Sequence, residues 1–297
     1  MKVISITPRG YCKGVTKAIA AVRKAVADNT VDKPIYILGY IVHNKYVVEE
    51  MTKLGVITLD DRKKTRLELV DEISNGTVVL SAHGTNPMVK EKLSKKQINF
   101  IDATCEDVEK TFDLIKKHEK AGYHILYIGK LNHPEANAAI SLAHDITLVV
   151  DADNIPLGIK KPIFVTNQTT FSLIEIKGII DSIIHIYPNT LISEEICNAT
   201  RLRQTAILET NKSVDLCYIV GDPRSNNTKN LALISENITK TKTLLIESVD
   251  DINPLDLVNV NTISVSSGAS TPNYLTKKVI DFLKKYNISI LLFLFSS

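Results

Sequence analysis

Three of the four cysteines, Cys12, Cys105 and Cys197, stand 93 and 92 residues apart. Cys12 lies in Arg9-Gly10-Tyr11-Cys12-Lys13-Gly14 and Cys105 in Ala103-Thr104-Cys105-Glu106. These are loop-like stretches before a helical pattern, where a helix N-terminus stabilises a thiolate. Three matched thiolates with no fourth in register point to a metal. Structural zinc asks for four ligands, typically in close C-x-x-C pairs, and a four-iron cluster is normally held by four cysteines. With three, one iron is left without a protein ligand, able to bind a substrate oxygen as a Lewis acid while the cluster passes electrons. Taken singly, each cysteine is better read as a buried structural residue; their matched positions argue otherwise. Cys217 sits inside the apolar run Leu216-Cys217-Tyr218-Ile219-Val220 and reads as core.

Polar loops recur at similar spacing. His43, His133 and Ser225 each follow a glycine by four residues (Gly39, Gly129, Gly221), and His83 and Ser270 lie in loops after a second apolar run. With Asn227 they form a set of donors for an anion, helped by helix N-termini and by backbone amides near Gly84 and Gly268. A diphosphate fits such a set. Neither nucleotide-binding glycine pattern, G-x-x-x-x-G-K-[ST] or G-x-G-x-x-G, occurs. Glu135 is the one carboxylate inside these loops and a candidate proton donor; its plainer role is a helix-start carboxylate held by the dipole. Thr169 and Thr170 relay a proton or cap the next helix.

These residues need positioning elements. Each of the three cysteines follows a short extended run (residues 3–7, 99–102 and 190–192) and precedes a helical pattern (16–27, 108–120 and 201–210). An apolar run ending in glycine comes next, then a polar loop, a helix and a strand. A second apolar run and polar loop then lead into a helix, with Pro87, Ser172 and Pro272 near its start. Strands alternating with helices predict parallel α/β units. The chain divides into units 13–104, 105–196 and 197–285, the last closed by the strand in residues 1–12, with an apolar tail over 286–297. Ligands bind at the carboxyl ends of such strands, where every residue singled out above is placed.

The chain has 297 residues, 44% hydrophobic and 23% charged, which excludes a disordered or collagen-like chain. Its 36 basic and 33 acidic residues are too balanced for a nucleic-acid binder. No apolar run approaches the roughly 18 residues of a membrane span, and the first residues carry no signal-peptide pattern. A reducing cytoplasm is the expected location, with cysteines as thiols or ligands.

From Lys2 to about Lys285 the motifs resemble the IspH/LytB family of 4-hydroxy-3-methylbut-2-enyl diphosphate reductases. The pieces are Tyr11-Cys12-Lys13-Gly14-Val15, Val42-His43-Asn44, Ser81-Ala82-His83-Gly84, Asp102-Ala103-Thr104-Cys105, His133-Pro134-Glu135, Gln168-Thr169-Thr170, Cys197 with Ala199-Thr200, Ser225-Asn226-Asn227-Thr228 and Gly268-Ala269-Ser270. The resemblance implies a cloverleaf of three pseudo-threefold α/β units around a central 4Fe-4S cluster held by Cys12, Cys105 and Cys197. It implies a substrate site lined by His43, His83, His133, Thr169, Ser225, Asn227 and Ser270, with Glu135 organising proton delivery. The family reduces its substrate to isopentenyl and dimethylallyl diphosphates, the last step of the non-mevalonate pathway, with ferredoxin or flavodoxin as electron donor. Three places depart. Glu106-Asp107 stands where the family has proline after the second cysteine, and is expected to add negative charge beside the cluster and lower its potential. Asn226 replaces a second serine. The tail 288–295 is more apolar than usual and reads as a strand packing on the third unit or as an altered end.

Three other readings stay open. A quinolinate-synthase-like enzyme also has three units and a three-cysteine cluster, but dehydrates. A non-catalytic iron–sulfur sensor or carrier would want a shielded four-cysteine cluster. A zinc protein would use Cys and His ligands.

Overall fold

The computed structural model describes residues 1–61 and 63–295, the stretch 287–295 as backbone only. In chain order the elements are β1 (Lys2–Ser5), α1 (Lys13–Ala27), β2 (Ile35–Leu38), α2 (Lys45–Lys53), β3 (Ile57–Leu59), α3 (Arg66–Leu69), β4 (Thr77–Leu80), α4 (Pro87–Lys95), β5 (Asn99–Asp102), α5 (Glu106–Lys120), β6 (His124–Ile128) and α6 (Pro134–Ile140). They continue with β7 (Ile146–Val149), β8 (Ile163–Asn167), α7 (Leu173–Ile186), β9 (Leu191–Ile192), α8 (Asn198–Thr210), β10 (Leu216–Val220), α9 (Asn226–Asn237), β11 (Lys242–Ile246), β12 (Thr262–Ser267) and α10 (Asn273–Phe295).

The strands form three four-stranded sheets, in the orders β3-β2-β4-β5, β7-β6-β8-β9 and β11-β10-β12-β1. Every pairing is parallel, so helices make the crossovers. The order is the same in each sheet, which is the α/β repeat expected from the spacing. The interior strands β4, β8 and β10 are buried along their whole length, because a parallel sheet covered on both faces needs continuous apolar runs. In the last sheet the fourth place is taken by the N-terminal strand: β1 pairs with β12, from Lys2 opposite Thr262 to Ser5 opposite Val265.

Compactness groups the chain into two bodies where the repeat counts three. The first unit comprises Met1–Cys12, His43–Tyr46 and the chain from Asn198 onward; the second comprises Lys13–Val42 and Val47–Cys197. The first unit contains the β11-β10-β12-β1 sheet, with Tyr218, Val220, Val265, Val279 and Leu283 in its core. The His43 segment belongs with it: Ser270 Oγ donates to the His43 carbonyl at 2.9 Å, and the Lys45 N–H donates to Asp222 Oδ2 at 3.0 Å. The second unit holds the other two sheets. Its cores form around Leu38, Leu80 and Leu93, around Leu126, Val165 and Ile183, and around Phe112, Ile115 and Tyr127.

Two boundaries differ from expectation. The helices after the cysteines start two or three residues early, at Lys13, Glu106 and Asn198. Residues of a first helical turn need no apolar periodicity, so the pattern misses them. The apolar tail is helical: α10 runs without a break to Phe295, since no Gly or Pro follows Asn273 to stop it. Residues 296–297 of that tail lie outside the described residues. Among the described residues no helix is long and apolar enough to cross a membrane.

Candidate active site

One backbone device is repeated three times. The N–H of Cys12 donates to the Ala269 carbonyl at 3.1 Å, that of Cys105 to Ala82 at 3.0 Å, and that of Cys197 to Thr169 at 3.1 Å. Each acceptor lies two residues beyond an interior strand, β12, β4 or β8, and each cysteine directly precedes the first residue of a helix, α1, α5 or α8. The three thiols are half-buried and stand at the positive end of a helix dipole. Cys217 is completely buried in β10, and burial pushes its thiol pKa up. It is therefore core, as its sequence context suggested.

The two acids after Cys105 play unequal parts. Glu106 is held by Lys17 at 3.1 Å and Lys13 at 3.2 Å, and these lysines draw its carboxyl below the usual range. Its charge is answered locally. Asp107 Oδ2 lies 4.0 Å from Cys105 Sγ, so the added negative charge expected here is supplied by Asp107 alone.

In the second unit, His133 caps α6 through Nδ1, which accepts the Glu135 N–H at 3.2 Å. That nitrogen is therefore unprotonated. The Glu135 side chain turns inward and is completely buried. Oε1 accepts the Thr169 N–H at 2.7 Å, Oε2 accepts the Thr169 hydroxyl at 3.0 Å, and the Tyr127 hydroxyl lies 3.4 Å away. Burial raises its pKa to about 7 even though these donors favour the anion. It is not a solvated helix-start carboxylate. Thr169 does not cap the next helix either; Ser172 caps α7. The His83 ring meets the His133 ring edge-on, with centroids 5.4 Å apart.

The loop carrying His83 is braced from below. Arg66 Nη1 donates to the Gly84 carbonyl at 3.0 Å and Nη2 to Ser81 Oγ at 3.1 Å. Burial of this guanidinium lowers its pKa to about 10, so it remains a cation at neutral pH. Gly39, at φ +76°, makes room for it: a Cβ there would lie 3.0 Å from Nη2.

The first unit carries a different group. Ser225 caps α9, accepting the Thr228 N–H at 3.4 Å. Ser270 Oγ lies 3.4 Å from Ser225 Oγ. Asn227 Oδ1 accepts the Ala269 N–H at 2.8 Å, and Nδ2 donates to Thr200 Oγ1 at 3.2 Å, which leaves that amide nitrogen a second hydrogen. All three side chains are buried. Neutral donors at the start of a twelve-residue helix have the chemistry that suits an anion. Gly268 lets the loop press on that helix, since a Cβ would meet Thr228 Oγ1 at 2.0 Å. Asp222, paired with Arg224, holds the loop between β10 and α9.

Thus Cys12, His43, Ser225, Asn227 and Ser270 fall in the first unit, and Cys105, Cys197, His83, His133, Glu135 and Thr169 in the second. Among the described residues no three His, Cys, Asp or Glu side chains form a ready metal-ligand set. The three cysteines share one backbone frame. That donor set, thiols at three helix starts with backbone N–H groups already satisfied, suits an iron–sulfur cluster. The spacing gave no sign of Tyr127, Arg66, Thr200 or Asp222. Tyr127 reads as one more apolar residue of β6, and Arg66 lies outside every repeated loop.

A sequence profile described as LytB protein matches residues 3–284. The chain is 43% identical over 290 residues to a 4-hydroxy-3-methylbut-2-enyl diphosphate reductase of Bacillus cereus (strain B4264), covering 97% of this chain and 91% of that one. It is 44% identical over 291 residues to the protein of that name from Bacillus cytotoxicus, again 97% and 91%. The solved E-1-hydroxy-2-methyl-but-2-enyl-4-diphosphate reductase of Plasmodium falciparum superposes with a TM-score of 0.88 at 32% identity, covering 95% of this chain and 87% of that one. A second solved structure, of an (E)-4-hydroxy-3-methyl-but-2-enyl diphosphate reductase described as the terminal enzyme of the non-mevalonate pathway, matches at 27% identity with a TM-score of 0.67, covering 96% and 100%. With sequence identity and fold agreeing over nearly the whole length, the chain belongs to the LytB family.

Proposed function

We propose that this chain reduces 4-hydroxy-3-methylbut-2-enyl diphosphate to isopentenyl and dimethylallyl diphosphates, releasing the substrate hydroxyl as water, as the last step of the non-mevalonate isoprenoid pathway. The observation that carries the assignment of roles is Glu135: a completely buried carboxyl with a pKa of about 7, tied to the residue whose carbonyl receives the Cys197 N–H. When bound, a 4Fe-4S cluster held by Cys12, Cys105 and Cys197 supplies electrons and a Lewis-acidic iron that has no protein ligand.

The chain's own residues do the rest. Ser225, Asn227 and Ser270, with His43, His83 and His133, bind the diphosphate through hydroxyl, amide and imidazole groups and helix N-termini. Hydroxide is a poor leaving group, so the departing oxygen needs a proton. Glu135 holds one near neutrality and delivers it, and the Thr169 hydroxyl at 3.0 Å orients or relays it. Burial keeps bulk water from taking that proton first. Ferredoxin or flavodoxin serves as the electron donor, and the protein works in the cytoplasm. The three repeat units are 13–104, 105–196 and 197–285, the last completed by 1–12, and one cysteine follows the fourth strand of each sheet: Cys105 after β5, Cys197 after β9 and Cys12 after β1.

The test is anaerobic. The purified protein should be brown, with about four irons per chain. It should convert the allylic diphosphate to the two isomers with a chemical reductant. Serine at Cys12, Cys105 or Cys197 should abolish the colour, while Cys217→Ser should keep it. An iron-loaded protein that leaves the substrate untouched would refute this function.

A further inference from the structure

We infer that the first unit carries a docking surface for an acidic electron-carrier protein, in the cleft between the loop after β1 and helix α10. The inference rests on the reductase reading above. It adds where the electrons enter.

The cleft is open and has a volume of about 880 Å³, with Arg9, Asn273, Tyr274, Lys277, Asp281 and Lys284 on its walls. Lys277 and Lys284 are exposed. They are seven residues apart on α10, two turns, and so share a face. Neither makes an ion pair among the described residues. Arg9 donates to the Ile6 carbonyl at 3.1 Å and to Thr7 Oγ1 at 3.2 Å, so its cation is fixed by neutral groups. One acid, Asp281, faces three cations. Tyr274 is half-exposed and adds the aromatic edge that protein interfaces favour.

The charge of the whole chain points to the same place. The first unit has 14 basic against 9 acidic residues, whereas the second has 22 against 24. The chain's positive surplus therefore lies on the unit with the cleft, where it steers an acidic partner during encounter. A small anion is better served by buried, converging donors such as Ser225 and Asn227. Exposed lysines around an open cleft suit a protein surface. The cleft is also well placed for electron entry. Arg9 precedes Cys12 by three residues, so their Cα atoms are at most about 11 Å apart. Each turnover takes two electrons, one from each of two reduced carriers, which leave oxidised. With two protons these electrons replace the substrate's C–O bond by C–H and release the oxygen as water.

The experiment compares two electron sources on cluster-loaded protein. One is dithionite-reduced methyl viologen, too small to need a docking surface. The other is a reduced plant-type ferredoxin, an acidic carrier. In Lys277→Glu/Lys284→Glu, ferredoxin-driven kcat/KM and direct ferredoxin affinity should fall about tenfold or more at low salt, and the salt dependence should flatten. Viologen-driven turnover should stay at the parent rate. Lys212→Glu/Lys240→Glu, with the same change in net charge at exposed sites elsewhere on the unit, should leave both unchanged. Ferredoxin affinity within twofold of the parent, or an equal fall in the control, overturns the docking surface. If the charge reversal damages the fold and both rates drop, Lys277→Gln/Lys284→Gln decides: an unchanged ferredoxin affinity overturns the proposal. Absence of viologen-driven turnover in the parent would sink the reductase reading instead, and leave the affinity measurement to judge the docking surface by itself.

Discussion

Asn227 in the first unit and Glu135 in the second occupy the same place. Each lies two residues beyond a helix cap, Ser225 or His133. Each accepts the N–H of a loop residue, Ala269 at 2.8 Å or Thr169 at 2.7 Å. The carbonyl of that loop residue then receives a cysteine N–H, from Cys12 or Cys197. The backbone frames match, and what differs is one functional group and its neighbours. A carboxamide never titrates, and with Ser225 and Ser270 beside it the position can only bind. A carboxyl raised to about 7 by burial, with the Tyr127 and Thr169 hydroxyls against it, can exchange a proton. The remaining copy of the frame carries neither group. There the Ala82 N–H goes to the Ile41 carbonyl at 3.3 Å, and Lys45, at the corresponding sequence position, pairs with Glu247. The fold thus repeats a position, and the side chain placed there decides between a group that can only hydrogen-bond and one that can also exchange a proton.

The largest expected effect comes from making the second unit resemble the first. Glu135→Gln keeps the hydrogen-bonding shape but loses the transferable proton. Turnover with a chemical reductant should fall about 10²–10⁴-fold, while the spectral change on substrate addition remains. Near-parent turnover would return Glu135 to a structural role.

A second effect separates the units through stability. Glu135 holds its proton more tightly in the folded protein than in the unfolded chain, whose value is near 4.5. Below pH 4.5 both states are protonated. Between there and about pH 7 only the folded state is, so unfolding releases a proton and stability falls as pH rises. The loss, integrated over that window, is about 3 kcal/mol. Denaturation of the parent and Glu135→Gln between pH 4 and 8 should show the variant gaining on the parent by about that amount. Asn227→Ala should show no such pH-dependent difference; parallel profiles for the parent and Glu135→Gln would refute the raised pKa.

Asn227→Ala should act on binding. It removes the amide nitrogen whose second hydrogen is available to the anion, a bond worth about 1–1.5 kcal/mol, and so should raise KM for the diphosphate roughly tenfold with kcat nearly kept. A fall in kcat with KM unchanged would contradict its assignment to anion binding. The smallest effect is expected from Arg66→Lys. Lysine keeps the charge but cannot donate to Gly84 and Ser81 in the same fork. A few-fold rise in KM, with the iron content unchanged, would mark Arg66 as positioning the His83 loop; no change would make its two hydrogen bonds incidental.

Much of this was legible because parallel α/β repeats announce themselves. Val78-Val79-Leu80, Ile125-Leu126-Tyr127-Ile128 and Leu216–Val220 are apolar runs that only a doubly covered strand requires, and the polar residue four beyond each glycine falls at a strand's carboxyl end. What stayed hidden depends on contacts rather than periodicity. The Tyr127 hydroxyl matters because Glu135 turns inward beneath it. Arg66 matters because Gly39 leaves space for its guanidinium. The seating of His43–Tyr46 with the chain beyond Asn198 rests on hydrogen bonds from Ser270 and to Asp222, on the Lys45–Glu247 pair and on Tyr46 against the core, which no spacing rule encodes. The tail is helical where a strand was expected, because an apolar run of that length suits a strand as well as the end of a helix.

The pairing of β1 with β12 has a consequence for how the protein is made. All of the second unit lies within the first 197 residues, so it can fold while synthesis continues. Lys2–Ser5, made long before its partner, has no sheet to join until Thr262–Ser267 emerges, and closing so long a loop is slow. Cys12, which that strand carries into place, is therefore the last of the three cysteines to be positioned, and its loop cannot be set on a nascent chain shorter than the β12 strand. Chains stalled before residue 262 should be cleaved by protease near their N-terminus while residues 47–197 resist; protection of the N-terminus in such chains would show that β1 finds its place another way.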